Sequence, residues 1–272
     1  MKPSRSRPIC ALSIAASDSG GGAGIQADLL TFAAHGVYGA TVLVAATAQN
    51  TSRISAVAKL PVDFVVAQMD AVFSDLSPRA VKIGALLDGA RVRAVAGGLT
   101  RWRAKNVVLD PVLTAKTGNG LLAPAAIRNL LEDLLPLCDL VTPNIPEAET
   151  LSGARIRNGS DAREAALLLA SRGCRAVLVK GGHARGETVT DLLYDGRRFH
   201  EIAHPRVQTR ATHGTGCTLS AAIAANLALG HGLVGAVRRA IRYIGIAIER
   251  GYYPGHGWGV PGRFANRRKS GA

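Results

Sequence analysis

The sequence predicts an α/β protein whose mostly parallel sheet is covered on both faces by helices. Three observations carry that expectation. Apolar runs of strand length alternate with helix-like segments almost to the end of the chain. Of the 272 residues, 47% are apolar and 19% charged, enough for a sizeable core and against disorder. No linker, repeat or low-complexity block divides the chain. One domain over residues 9–264 is therefore expected, with a basic extension at 1–8 and a basic tail at 265–272.

In chain order, Ile9–Ala15, Ala40–Ala46, Ala80–Ile83, Asn106–Leu109, Leu140–Thr142 and Ala176–Val179 read as strands. They are short, nearly unbroken apolar runs, as strands buried on both faces are. Ile25–Ala34, Pro61–Ser74, Pro124–Leu135 and Ala162–Ser171 read as the helices between them. Val189–Tyr194 and Arg198–Ile202, joined through Asp195-Gly196, read as an antiparallel hairpin. Two closing helices follow, Gly216–Leu229 and Val234–Glu249. In such sheets ligands bind at the carboxyl ends of the strands.

The chain carries 33 basic and 19 acidic residues, a net charge of +14. That favours anionic partners such as nucleic acid, lipid headgroups or phosphorylated metabolites. The arginines are dispersed, however, and only 4% of the chain is aromatic, so a single-strand stacking platform is not expected. No apolar stretch approaches the ~18 residues of a spanning helix. Cys10, Cys138, Cys174 and Cys217 lie far apart and form no CxxC pair, which fits a reducing cytoplasm. The run Ile9–Ala16 after Lys2, Arg5 and Arg7 imitates a short signal peptide, but reads better as the first strand entering a glycine loop.

Two motifs fail on context. His200-Glu201-Ile202-Ala203-His204 matches the zinc-protease pattern, which needs a helix. In a hairpin strand the two histidines stand about 13 Å apart. Gly257 to Gly262 matches a dinucleotide fingerprint, but no strand precedes it and Pro261 interrupts it.

Other motifs carry chemistry. Thr212-His213-Gly214-Thr215-Gly216-Cys217-Thr218 leads straight into an alanine-rich helix. Free N–H groups and the positive dipole end there form an anion site, and Cys217 in the first turn is expected to have a lowered thiol pKa. A packed glycine turn with an inert cysteine is the plain alternative. Ser17 to Asp28 gives strand, glycine loop and helix start, suited to close approach of a ligand or to a simple flexible turn. Thr142-Pro143-Asn144 places Asn144 and Glu147 after a strand, and Asp110 ends another. Glu147 either complements a helix dipole or holds a magnesium hydration shell. Lys180 before Gly181-Gly182 reads as a phosphate contact.

Together with Ala48-Gln49-Asn50-Thr51, Lys82-Ile83-Gly84, Leu109-Asp110-Pro111 and Gly255-His256-Gly257, these motifs fall in an order that resembles a known family. The chain resembles the hydroxymethylpyrimidine/phosphomethylpyrimidine kinases of thiamine biosynthesis, in the ribokinase-like superfamily, from about Ile9 to Phe264. The resemblance implies a three-layer α/β/α fold, ATP and Mg2+ as cofactors, a small pyrimidine substrate, no nucleic acid or membrane partner, and a homodimer. It implies that Gln49, Asp28, Ala16 and Gly22 form the pyrimidine side. Lys180, Asn144, Thr212, Gly214 and Gly216 would contact ATP, and Asp110 and Glu147 would place Mg2+ through water. Gly214, Thr215, Gly216 and Cys217 would form the anion hole for the transferring phosphoryl group, with Cys217 and Lys180 as catalytic groups.

Two departures stand out. Ala16 replaces a glycine common in relatives, and Ala85 is smaller than the methionine associated with a substrate-gating position. A roomier pocket would admit pyridoxal, so a pyridoxal or pyridoxine kinase is the alternative enzyme. A non-catalytic, basic nucleic-acid-binding protein on the kinase fold is the alternative of a different class. The segment Ala115–Gly120 reads equally as a flap or as a surface loop.

Overall fold

A computed structural model describes residues 7–114, 121–183 and 186–263. The segment 115–120 and the tail 265–272 lie outside the described residues, as does most of the 1–8 extension. The expected parallel sheet is present. Its strands are β1 (Cys10–Asp18), β2 (Tyr38–Gln49), β3 (Ile54–Lys59), β4 (Ala80–Ile83), β5 (Val107–Leu109), β6 (Leu140–Val141), β7 (Val177–Val179), β8 (Thr188–Tyr194) and β9 (Phe199–Pro205). Their order is β3-β2-β1-β4-β5-β6-β7-β8-β9. The run from β2 to β7 is parallel, and β3, β8 and β9 pair antiparallel at the two edges.

The helices are α1 (Gly24–Ala34), α2 (Val62–Leu76), α3 (Gly89–Arg101), α4 (Ala126–Asn129), α5 (Ile145–Ser152), α6 (Gly159–Ala170), α7 (Thr215–Ala228) and α8 (Leu233–Glu249). Side chains alternate across a strand, so each strand feeds two cores. Leu12, Ile14, Val81, Ile83, Val107 and Leu109 face α2, α3, α5 and α6. Ala11, Ala80 and Val108 face α1, α7 and α8. This is a three-layer α/β/α arrangement. From Thr218 to Ala228 every residue of α7 is buried, and small side chains let it run close to α1 and α8.

Four elements differ from the sequence reading, one of them α5, which no predicted helix covers. The helix expected over Pro124–Leu135 is only α4, continued by a wide π turn over Leu130–Leu134 and a tight turn over Leu135–Leu137. Pro136 has no N–H to continue the ladder. Helix α3 and strand β3 were not expected. Gly97-Gly98 lowers the helical signal of α3, and every residue of β3 from Ser55 to Lys59 is exposed, so no apolar alternation marks it. The zinc-protease match lies in β9, where His200 pairs with Asp195 at 2.6 Å and His204 with Asp191 at 3.3 Å. The two histidines have separate carboxylate partners.

Candidate active site

Strands β1, β2, β5, β6 and β7 all end at one side of the sheet, and their ends line a cavity of about 890 Å³. Asp18 and Gln49 come from the β1 and β2 ends, Asp110 from β5, Asn144 from β6 and Lys180 from β7. The N-terminus of α7 closes the floor with Thr212 to Cys217.

Gly214 caps α7 at φ 78°, a left-handed conformation open to glycine. A Cβ there would stand 1.9 Å from the Gly22 carbonyl oxygen, so the two loops touch through backbone. The first turn leaves the N–H groups of Gly216 and Cys217 without an intrahelical acceptor. A Cβ on Gly216 would lie 3.2 Å from Asp110 Oδ2 and 3.5 Å from Lys180 Nζ. The anion hole therefore adjoins an ion pair, Lys180 Nζ to Asp110 Oδ1 at 3.0 Å. Burial opposes the Lys180 charge, yet Asp110 and Glu147 hold its ammonium above the ordinary value.

Helix α5 starts in a reciprocal capping box. The Asn144 side chain accepts the Glu147 N–H at 2.9 Å, and Glu147 Oε2 accepts the Asn144 N–H at 2.8 Å. That fixes Glu147 Oε2 at 3.9 Å from Lys180 Nζ. Burial, and then Asp110 nearby, push the Glu147 carboxyl up to about 7. Among the described residues no group of three or more His, Cys, Asp or Glu side chains could cage a metal. Two carboxylate donors beside a phosphate-sized space suit Mg2+, which keeps most of its ligands as water and phosphate oxygen. A divalent cation would also relieve the crowding that raises Glu147.

On the other side of the cavity, Thr47 Oγ1, which donates to the Ser17 carbonyl at 2.8 Å, lies 3.2 Å from Gln49 Oε1. The His213 ring bonds Asp18 Oδ2 through Nε2 at 2.9 Å. Burial works against the Asp18 charge, but His213 and the Gly20 and Ala23 N–H groups hold its carboxyl below the ordinary value. Ala16 and Ala85 line the same wall, and Trp258 joins it from the C-terminal segment, its N–H donating to the Thr51 carbonyl at 2.9 Å.

The structure thus brings together Gln49, Ala16, Asp110, Asn144, Glu147, Lys180, Thr212, Gly214, Thr215, Gly216 and Cys217. Three expectations are corrected. Asp28 is fully buried and outside the cavity lining, paired with Lys82 Nζ at 2.8 Å and accepting from Ser13 Oγ at 2.6 Å. It lies on α1, which packs that side chain between helix and sheet. Gly22 does not line the cavity: a Cβ there would strike the His213 ring at 2.2 Å. Cys217 is not a ready thiolate. Burial pushes its thiol above the ordinary value, and the Lys82 ammonium offsets this only in part. Desolvation outweighs the helix dipole.

Asp18, Lys82, His213 and Trp258 were not assigned roles from the sequence. Lys82 had a signal: a lysine inside the apolar strand Ala-Val-Lys-Ile must find a buried partner. Asp18 and His213 stand 195 residues apart, and no local pattern pairs them.

The sequence matches the phosphomethylpyrimidine kinase family over residues 18–261. The chain belongs to that family. It is 52% identical over 241 residues to the hydroxymethylpyrimidine/phosphomethylpyrimidine kinase of Rhizobium meliloti, covering 88% of this chain and 90% of that one. It is 48% identical over 218 residues to the same-named kinase of Escherichia coli, covering 80% and 82%. Among solved structures, the phosphomethylpyrimidine kinase of Clostridium difficile superposes with a TM-score of 0.79 at 42% identity, covering 88% and 99%. The pyridoxal kinase of Bacillus subtilis, solved with ADP, gives 0.86 at 35%, covering 93% and 96%. Phosphomethylpyrimidine kinases and pyridoxal kinases therefore share this fold closely.

Proposed function

We propose that this chain uses ATP and Mg2+ to phosphorylate the alcohol of 4-amino-5-hydroxymethyl-2-methylpyrimidine and then the monophosphate itself, in thiamine biosynthesis. The names of its relatives support the substrate. The observation that carries the chemistry is the placement of Gly216 against the Asp110–Lys180 pair. It joins helix-start N–H donors, a cation and a carboxylate at one point, which is what a transferring phosphoryl group needs.

In this reading Gln49 holds the aminopyrimidine edge, with its amide beside Thr47. Lys180 neutralises ATP phosphate charge, and the backbone of Gly214 to Cys217 binds the phosphoryl group as charge grows on its oxygens. Asn144 and Thr212 lie on the nucleotide side. Asp110 and Glu147 would hold Mg2+ through water. Held there, it would supply positive charge against the phosphate oxygens. In the first step the bond from the γ-phosphorus to its bridging oxygen breaks as the alcohol oxygen bonds to phosphorus. The alcohol proton passes to Cys217 Sγ, from the small thiolate fraction that burial permits. The second acceptor is a phosphate oxygen already ionised at neutral pH, so it needs no base.

A homodimer fits the exposed outer edge of β3, and free cysteines fit a reducing cytoplasm. A second reading, pyridoxal phosphorylation on the same site, is favoured by the small Ala85 side chain on the cavity wall. Mass-resolved products from the pyrimidine and pyridoxal, side by side with ATP and Mg2+, test both. A pyrimidine monophosphate followed by a diphosphate supports the main reading. Pyridoxal phosphate as the dominant product replaces it with the second, and no product from either overturns both.

A further inference from the structure

Among the described residues, Arg263 is the bulkiest fully buried side chain. Its place is behind the α7 N-terminus. Arg263 Nε donates to Thr218 Oγ1 at 2.8 Å, and Nη2 donates to the Gly22 carbonyl at 2.5 Å. Thr218 Oγ1 in turn donates to the Gly214 carbonyl at 2.7 Å. A Cβ on Gly214 would stand 2.7 Å from Arg263 Nη2. The Tyr243 hydroxyl donates to the Arg263 carbonyl at 2.9 Å and ties the segment to α8. One guanidinium thus holds the glycine loop after β1, the cap of α7 and its first turn.

The charges around it do not cancel. Lys82 is matched by Asp28 at 2.8 Å and Lys180 by Asp110 at 3.0 Å. Among the described residues Arg263 forms no ion pair with a carboxylate. Burial works against the Arg263 charge, and Asp28, acting from beyond contact distance, offsets this only in part, so an anion arriving nearby would be favoured. The nearest place for such a group is the N–H cradle that Arg263 supports from behind.

We propose that Arg263 is a positioning residue for phosphoryl transfer: it clamps Gly22 and the first turn of α7 and adds a fixed positive charge behind the anion hole. It touches no substrate. Its effect falls on the charge that develops during transfer, so it acts on kcat more than on pyrimidine binding. The inference rests on the kinase reading above.

The test compares Arg263→Lys, which keeps the charge, with Arg263→Gln, which keeps much of the size and polarity without it. Wild-type turnover of the pyrimidine is measured first, and its absence would sink the kinase reading rather than this one. With an active wild type, Arg263→Gln is expected to lose about tenfold or more in kcat with KM for the pyrimidine within about twofold. Arg263→Lys should stay within about threefold of wild type. Calorimetry gives a readout that misfolding does not imitate. The Gln variant should bind ADP like wild type but lose affinity for ADP with aluminium fluoride by the same factor as kcat. Wild-type kcat in Arg263→Gln, or equal losses in the Gln and Lys variants, would overturn the proposal. Should neither variant give a cooperative melt, Thr218→Val decides. It keeps the cation but removes its anchor, and unchanged kcat there would also overturn the clamp.

Discussion

Lys82 Nζ lies 2.8 Å from Asp28 Oδ2, and neither side chain has exposed surface. Asp28 Oδ1 is the buried side-chain oxygen left without a partner among the described residues. The pair sits under the cavity floor, with Lys82 reaching up to its wall. Burial opposes the Lys82 charge, but Asp28, Cys217 and Asp110 hold its ammonium above the ordinary value. Asp28→Asn leaves that cation buried and unmatched, which costs about 3–5 kcal/mol. For a chain of this size the thermal midpoint should fall by roughly 10 °C, with KM for the pyrimidine nearly unchanged in whatever folds. A large rise in KM without loss of stability would return Asp28 to the substrate side.

The two phosphorylations should separate by pH. Burial holds the Cys217 thiol above its ordinary value, so its thiolate fraction rises with pH across the neutral range. Turnover of the alcohol should climb from pH 7 to 9, while turnover of the monophosphate stays flat. Cys217→Ala should remove the climb and slow the alcohol step more than the phosphate step. Equal slowing of both would leave Cys217 a packing role.

Glu147 predicts an acid limb that magnesium moves. Its carboxyl titrates at about 7 in the folded protein, above the ordinary 4.5, so it takes up a proton as pH falls below 7. The apparent Mg2+ affinity should drop with it, and raising Mg2+ should shift the limb to lower pH. Glu147→Gln should abolish that shift. In stability the sign is opposite. A raised carboxyl value favours the folded state at low pH, so this group makes the metal-free melting point fall as pH rises from about 4.5 to 7.

Ala85→Met should narrow selectivity. A methionine at this cavity-lining position removes room for the bulkier pyridoxal ring substituents. The ratio of kcat/KM for the pyrimidine over pyridoxal should rise by about tenfold or more. An unchanged ratio would take Ala85 out of the selectivity argument.

The sheet and most of the cavity were legible because they rest on local chemistry. Val107-Val108-Leu109 is a buried run that ends in a carboxylate, and Gly214 to Gly216 can only be a tight helix start. What was hidden depends on the direction of side chains across the layers. Asp28 and Asp18 occupy the two ends of one motif, yet the turn of α1 sends Asp28 into the core and leaves Asp18 on the cavity wall. Helix α5 was masked by Pro143 and Pro146, which read as a turn although the second falls in the first helical turn, where proline is tolerated. The lowered thiol expected at Cys217 counted the helix dipole but not the depth of burial.

The tie from Arg263 to Gly22 spans 241 residues, and that from Trp258 to Thr51 spans 207. Segments more than 200 residues apart are therefore structural parts of one pocket. During synthesis the glycine loop, the β2–β3 hairpin and the cap of α7 all emerge before the segment that fastens them. A chain still lacking that segment would have the strands of the sheet but an unlatched anion hole, so phosphoryl transfer should wait for Trp258 to Arg263 to dock. Polypeptide appended just after Arg263 should slow the onset of activity more than it lowers the final yield of folded protein.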